Sequence, residues 1–267
     1  SRSAKTRKKA AKLGICEVKA NSVEAVKGAD LVILCVPVGA MASAVMEFAS
    51  QLDPGVTVTD VGSVKVEVIA NVKPLLPDWV DFVPGHPLAG TENSGPESGF
   101  DSLFDNRWCL LTPLKDTSSN AVNRLSLFWQ SLGAEVDQMD AEHHDLVLAV
   151  TSHVPHLIAY TMVGVADDLA SITKSEVINY SAAGFRDFTR IAASDPTMWR
   201  DVFLNNKEAS LEILGRFTEE LTALQRAVRR GDGEFMFDYF TRTREVRRGI
   251  LEAGQDTDKP NFGREIK

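Results

Sequence analysis

Ala29-Asp30-Leu31-Val32-Ile33-Leu34-Cys35-Val36-Pro37 is a continuous apolar run that ends in a breaker. A strand buried on both faces reads this way, as strands of a parallel sheet do. Residues 21–27 before it read as a short helix, with Ser22 as N-cap. After it, residues 39–52 repeat at helical period until Pro54-Gly55. Residues 56–60 form the next strand, Gly62-Ser63 a turn and residues 65–75 a helix. Residues 79–83 are another strand, broken by Pro84-Gly85, and residues 90–105 are loop-like. A strand at 108–111, a helix at 118–132 and a strand at 135–139 complete the alternation. This order predicts a doubly wound, Rossmann-type α/β sheet. From residue 140 to 252 nearly everything carries helical periodicity, with breaks near 171–173, at Gly184 and at 231–233. The expected organisation is a nucleotide-binding domain over 1–139 and an all-α domain over 140–267, ending in a polar tail from 253.

The chain has 267 residues, 44% hydrophobic and 25% charged, which fits a globular protein rather than a disordered or fibrous one. Its net charge of −8 argues against non-specific nucleic-acid binding. No uninterrupted apolar run approaches the ~18 residues that a membrane helix requires, so no membrane partner is expected. Cys16, Cys35 and Cys109 are far apart and set among apolar neighbours. That pattern fits buried thiols in a reducing, cytoplasmic setting, with neither a disulfide frame nor metal spacing.

The first twelve residues hold six basic side chains and no acid. A transit peptide, a nucleic-acid arm and the solvated face of a helix ending at Gly14 all fit. The helix is preferred, because Ala4, Ala10, Ala11 and Leu13 keep near-helical spacing. A nucleotide-binding sheet normally opens with a strand, a G-x-G-x-x-G turn and a helix, and that motif is absent. In the order 3-2-1-4-5-6, a chain starting at Ser1 lacks its first two strands, leaving a gap between strands 3 and 4. About 30 upstream residues are therefore expected, with Ser1 following strand 2.

Four clusters carry chemistry. Thr59-Asp60-Val61-Gly62-Ser63-Val64-Lys65 ends a strand, where open α/β sheets bind ligands; an ordinary helix cap by Ser63 is the plainer alternative. In Pro84-Gly85-His86-Pro87-Leu88-Ala89-Gly90-Thr91-Glu92, prolines and glycines stiffen the backbone around an imidazole suited to general-base work. His143-His144-Asp145 precedes Thr151-Ser152-His153-Val154-Pro155-His156; on a regular helix His144, Ser152 and His156 span about 120° of one face. Pro155 predicts a kink there. A zinc site or a plain polar helix interface are the alternatives. Finally, Gly184-Phe185-Arg186-Asp187-Phe188-Thr189-Arg190 places Arg186 and Arg190 four residues apart, fit for carboxylate capture or for a surface ion pair with Asp187.

These motifs, in this order, together with Ser194-Asp195-Pro196-Thr197-Met198-Trp199-Arg200-Asp201, resemble the prephenate/arogenate (cyclohexadienyl) dehydrogenase family. The resemblance spans all but about the last dozen residues. It implies oxidative decarboxylation of prephenate or arogenate with NAD or NADP, in tyrosine biosynthesis. It implies His86 as general base and Ser63 as its partner on the substrate hydroxyl. Arg190 would pair with a substrate carboxylate. Thr91, Glu92, His144, Ser152, His156, Arg186, Asp187 and Trp199 would line or support the pocket. Cofactor contacts would come from Val36, Pro37, Val38 and Ser63, with Ser1, Arg2, Ser3 and Thr6 near the ribose, a set similar to that of NADP-preferring relatives. No metal is implied. A homodimer through the helical domain is implied, and product-like tyrosine is a possible inhibitor. Rival readings are a β-hydroxyacid or pyrroline-carboxylate type of dehydrogenase, whose acid/base is a lysine or hydroxyl, and a sensor without a cofactor loop.

Overall fold

A computed structural model of the chain describes residues 3–90, 95–168 and 174–253. The expectations at Ser1, Arg2, Thr91 and Glu92, the break at 171–173 and the tail beyond 253 lie outside those residues. The elements run α1 (Ala4–Leu13), α2 (Ser22–Val26), β1 (Leu31–Leu34), α3 (Met41–Phe48), β2 (Thr57–Asp60), α4 (Val66–Val72), β3 (Asp81–Phe82), β4 (Gly85–Pro87), β5 (Trp108–Leu111), α5 (Ser119–Ser131) and β6 (Glu135–Gln138). Then come α6 (Ala141–Leu148), a π-helical turn (Ala149–His153), α7 (Val154–Asp168), α8 (Lys174–Tyr180), α9 (Ala183–Thr189), α10 (Pro196–Asn205), α11 (Lys207–Arg230) and α12 (Gly233–Glu252).

The strands alternate with helices as expected of a Rossmann-type fold, and they pair in two three-stranded sheets, β1-β2-β3 and β4-β5-β6. β1, β2 and β3 run parallel, with Leu31 opposite Thr57 and Val58 opposite Phe82. β4 is antiparallel to β5, and β5 is parallel to β6. Pro84 has no N–H to give, so it splits one extended stretch into β3 and β4. The neighbouring groups remain paired: Val83 N–H donates to Val58 O (2.9 Å) and Thr112 N–H to Pro84 O (2.9 Å). Residues 85–87, expected only as rigid loop, are thus a strand. The gap expected between the strand at Leu31 and the one at Thr57 does not exist, because β1 is hydrogen-bonded directly to β2.

The buried apolar residues form two cores. Val45, Val58, Val64, Val72 and Phe82 lie in one, together with Trp199 and Val202 of α10. Cys109, Leu111, Leu125 and Trp129 lie in the other. The sheet and α10 therefore share a core, and this brings a helical-region tryptophan against the sheet.

Some local expectations are corrected. Asn21, not Ser22, caps α2, its side chain accepting from Glu24 N–H. Gly184 lies inside α9; the break falls at residues 181–182. Cys16 and Cys35 are exposed, and only Cys109 is buried. α1 is as expected, closed by Gly14 in a left-handed conformation (φ 68°). Its positive φ suits glycine, which lacks the Cβ penalty.

Residues 141–168 form one continuous helix. Length and composition alone would let it cross a membrane. Its buried side includes His144, Asp145 and His153, while Val150, Met162, Val163 and Val165 are exposed. Two compact units divide between Ile213 and Leu214. Within the second, Arg242 lies 5.2 Å over the ring of Tyr239.

Phe82 has no exposed surface and stands on β3 opposite Val58, in the core with Val45, Val64 and Val72. Phe82→Ala should cost about 3–5 kcal/mol, through lost burial and a residual cavity. A lowered urea midpoint with unchanged slope would register it; an unshifted midpoint would contradict this placement of the core.

Candidate active site

The site begins where β2 ends. Asp60 is fully buried, so each lone pair needs a donor. Its Oδ2 accepts from Gly62 N–H (2.8 Å) and from the Lys65 ammonium, and its Oδ1 accepts from Gly85 N–H (3.2 Å). Lys65, also fully buried, donates further to Gly85 O (2.7 Å). The carboxyl end of β2 is thereby tied to the start of β4. A Cβ at Gly62 would meet Asp60 Oδ2 at 2.9 Å and Met41 Cε at 3.1 Å, so the turn admits only glycine. Burial pushes the Lys65 ammonium down and Asp60 pulls it back up.

His86 sits on β4 opposite Leu110, held by the β4–β5 ladder. Its Nδ1 is 2.9 Å from His144 Nε2. His144 Nδ1 is 2.8 Å from Asp145 Oδ1. The Asp145 carboxylate also accepts Lys65 N–H (2.7 Å) and Val66 N–H (3.0 Å), capping α4 from another element. Ser63 is therefore not the helix cap. Asn206 Nδ2 donates to Asp145 O (2.8 Å) and lies 3.0 Å from His153 Nδ1.

His144 and His153 are nine residues apart. On a regular helix that is about 180°, opposite faces. The π turn at Ala149–His153 rotates less per residue and brings both onto the buried side. Pro155 accounts for it, because its ring would clash with the carbonyl four residues back. The expected kink thus takes the form of a π turn.

His153 meets the Trp199 ring edge-on (6.1 Å between centroids), and His156 stacks on the same ring (3.6 Å, 24°). His156 Nδ1 donates to Ser152 O (2.8 Å). Arg190, half-buried at the end of α9, is close enough for its charge to depress His156. His86 thus meets His144 directly, while His153 and His156 meet on the Trp199 ring, with Arg190 beside His156. Burial is the largest cause in all four, and it holds them toward the neutral form. His86 lies well below its ordinary value, with His144, Lys65 and His153 adding to the effect.

The structure brings His86, His144, Ser152, His156, Arg190 and Trp199 into this neighbourhood. His144 stands behind His86, fully buried, rather than on an open wall. Arg186 and Asp187 are exposed on α9. Ser63 is half-buried just after β2, with its backbone beside His153. Val36 and Val38 are half-buried and Pro37 exposed at the end of β1. Ser3 caps α1, accepting from Thr6 N–H (3.2 Å), at a distance in sequence from the histidines. Asp60, Lys65, Asp145, His153 and Asn206 were not expected as site residues. Asp145 and Lys65 are 80 positions apart, and no local pattern announces their contact. Among the described residues, no cluster of three His, Cys, Asp or Glu is placed to hold a metal ion.

Burial lowers His153 from 6.5 to about 4. Between those values the unfolded chain binds a proton that the folded chain refuses. Stability is then complete above pH 6.5 and is lost as pH falls toward 4. At 1.36 kcal/mol per unit, this one group accounts for about 3 kcal/mol. Urea midpoints measured from pH 7 to pH 4 should fall across that window, and His153→Gln should flatten the fall; equal slopes would exclude His153 as the cause.

Comparison with known proteins places this geometry in a family. The model of the prephenate dehydrogenase nucleotide-binding domain matches residues 1–138, and that of the prephenate dehydrogenase dimerisation domain matches residues 140–242. Cyclohexadienyl dehydrogenase of Zymomonas mobilis is 42% identical over 224 residues, covering 84% of this chain and 76% of that protein. Prephenate dehydrogenase of Bacillus subtilis is 35% identical, covering 90% of this chain and 65% of that enzyme. The crystal structure of prephenate dehydrogenase from Aquifex aeolicus with hydroxyphenyl propionate and NAD+ superposes with a TM-score of 0.86 at 34% identity, covering 94% of this chain and 87% of that one. On these matches, the chain belongs to the prephenate dehydrogenase family.

Proposed function

We propose that this chain oxidatively decarboxylates prephenate or arogenate with NAD or NADP, and that His86 is its general base. The observation that carries the reading is the contact of buried His86 with buried His144, near the His156–Trp199 stack that adjoins Arg190. The substrate is a cyclohexadiene with a 4-hydroxyl, a ring carboxylate and an acidic side chain. His86 accepts the hydroxyl proton as C4 is oxidised. Ser63 orients the same hydroxyl. Loss of CO₂ follows because the ring becomes aromatic, with the carbonyl forming at C4 as electron sink, so the residues need supply no Lewis acid.

Arg190 pairs with a substrate carboxylate, since a dianion entering a low-dielectric site needs a fixed cation. His156, clamped between Trp199 and the Ser152 carbonyl, forms a wall. Thr91, Glu92, Arg186 and Asp187 are assigned to substrate binding, and His144 supports His86 from behind. The bound nicotinamide supplies the hydride acceptor. Val36, Pro37, Val38 and Ser63 fit a dinucleotide, because they follow the carboxyl ends of two adjacent parallel strands, where open α/β sheets hold ligands. Ser1, Arg2, Ser3 and Thr6 take its ribose end. Lys65 is sealed against Asp60, which argues against the rival lysine-based chemistry.

The functional boundary is taken at 139/140, between the sheet and the helical region. The exposed apolar side of α7, including Met162, Val163 and Val165, supports a homodimer through that region. Tyrosine, close in shape to the product, competes for the same pocket. Three free cysteines suit the cytoplasm.

A spectrophotometric assay with each substrate against NAD+ and NADP+ tests the reading. His86→Ala should lower kcat by roughly 10²–10⁴ while NAD(P)+ affinity stays near wild type. An active mutant would remove the base. Arg190→Gln should mainly raise KM; unchanged saturation would mean that Arg190 does not touch substrate.

A further inference from the structure

We propose that Asp145 and His144 act together as positioning residues that hold the proton of His86 on Nδ1 and leave Nε2 as the lone pair facing substrate. This rests on the reading of His86 as general base. The inference follows from counting donors along one buried chain. Asp145 Oδ1 accepts Lys65 N–H at 2.7 Å and Oδ2 accepts Val66 N–H at 3.0 Å. A backbone N–H can only donate, so the carboxylate is an acceptor throughout. His144 Nδ1, 2.8 Å from Oδ1, must therefore carry a hydrogen. A neutral imidazole has one N–H, so His144 Nε2 holds a lone pair. His86 Nδ1, 2.9 Å from that lone pair, must then be the donor. The opposite tautomer of His86 would set two lone pairs against each other. Burial of His144 opposes the doubly protonated ring that would escape this.

The consequence is directional. When His86 Nε2 takes the substrate proton, the imidazolium keeps its Nδ1–H bond to His144, and the Asp145 carboxylate balances the charge from behind. That gain is realised only as proton transfer proceeds, so it acts on kcat rather than on substrate affinity. The same carboxylate starts α4 and joins it to α6, which fixes His144 relative to β4.

Two measurements on the full chain test this. In the protein labelled with ¹⁵N-histidine and free of substrate, long-range ¹H–¹⁵N correlation spectra should show His86 protonated at Nδ1. The signal is assigned by its loss in His86→Gln. In His144→Phe the proton should move toward Nε2. The same variant and Asp145→Asn should lose on the order of 100-fold or more in kcat, with KM for substrate within about threefold of wild type. Should Asp145→Asn fail to fold, the wild-type and His144→Phe spectra still decide. An Nε2–H tautomer in the wild type, or full turnover in His144→Phe, would overturn the proposal. If His86→Gln itself stays active, the base assignment fails; if it is inactive while His144→Phe is fully active, only the positioning role fails.

Discussion

A single buried carboxylate organises this molecule. Asp145, on the first helix after the sheet, receives the opening N–H groups of α4, the Nδ1 of His144 and, through its backbone carbonyl, the side chain of Asn206. Those partners come from three separate stretches of chain. Removing a buried acceptor strands every donor aimed at it, so such a joint is costly to break and holds its geometry closely. It also sets the distance between the strand that carries His86 and the helix that carries His144.

An ion pair works beside it. Asp60 and Lys65 are both sealed from solvent, and together they bind Gly62 and both backbone groups of Gly85. Buried pairs rarely add much stability over apolar residues, because desolvation offsets attraction. Their gain here is register. β4 is a strand of only three residues, so ladder bonds alone specify its end poorly. The pair pins the peptide just before His86 and adds a positive field that helps keep the imidazole neutral.

The helical contribution depends on a departure from regular geometry. Proline at position 155 forbids an ordinary turn before it, and the resulting π turn changes the phase of everything downstream. His144 and His153, which a regular helix would set on opposite faces, both come to the buried side, and His153 meets Trp199, whose ring stacks on His156 and joins the core of Val58 and Phe82. Titratable groups packed close together away from solvent perturb each other, the usual condition at sites where protons move.

Much of this was legible in the chain itself. The apolar run at Leu31, the parallel strand order, the turn to helices at residue 140 and the stiffened setting of His86 all follow from local pattern. That is because hydrophobic period and turn chemistry act over a few residues. The expected gap beside the first strand was wrong, since sequence order does not say which strands are neighbours in space. Asp145 and His153 stood in a cluster singled out in the sequence but received no role there, and Asn206 was not singled out, for a similar reason. A hydrogen bond across 80 positions, or a helix phase reset by a proline, leaves no periodic mark. Local chemistry determined which elements form and which residues are reactive; only tertiary packing decided which of those residues meet, because burial and hydrogen-bond satisfaction are settled between distant segments.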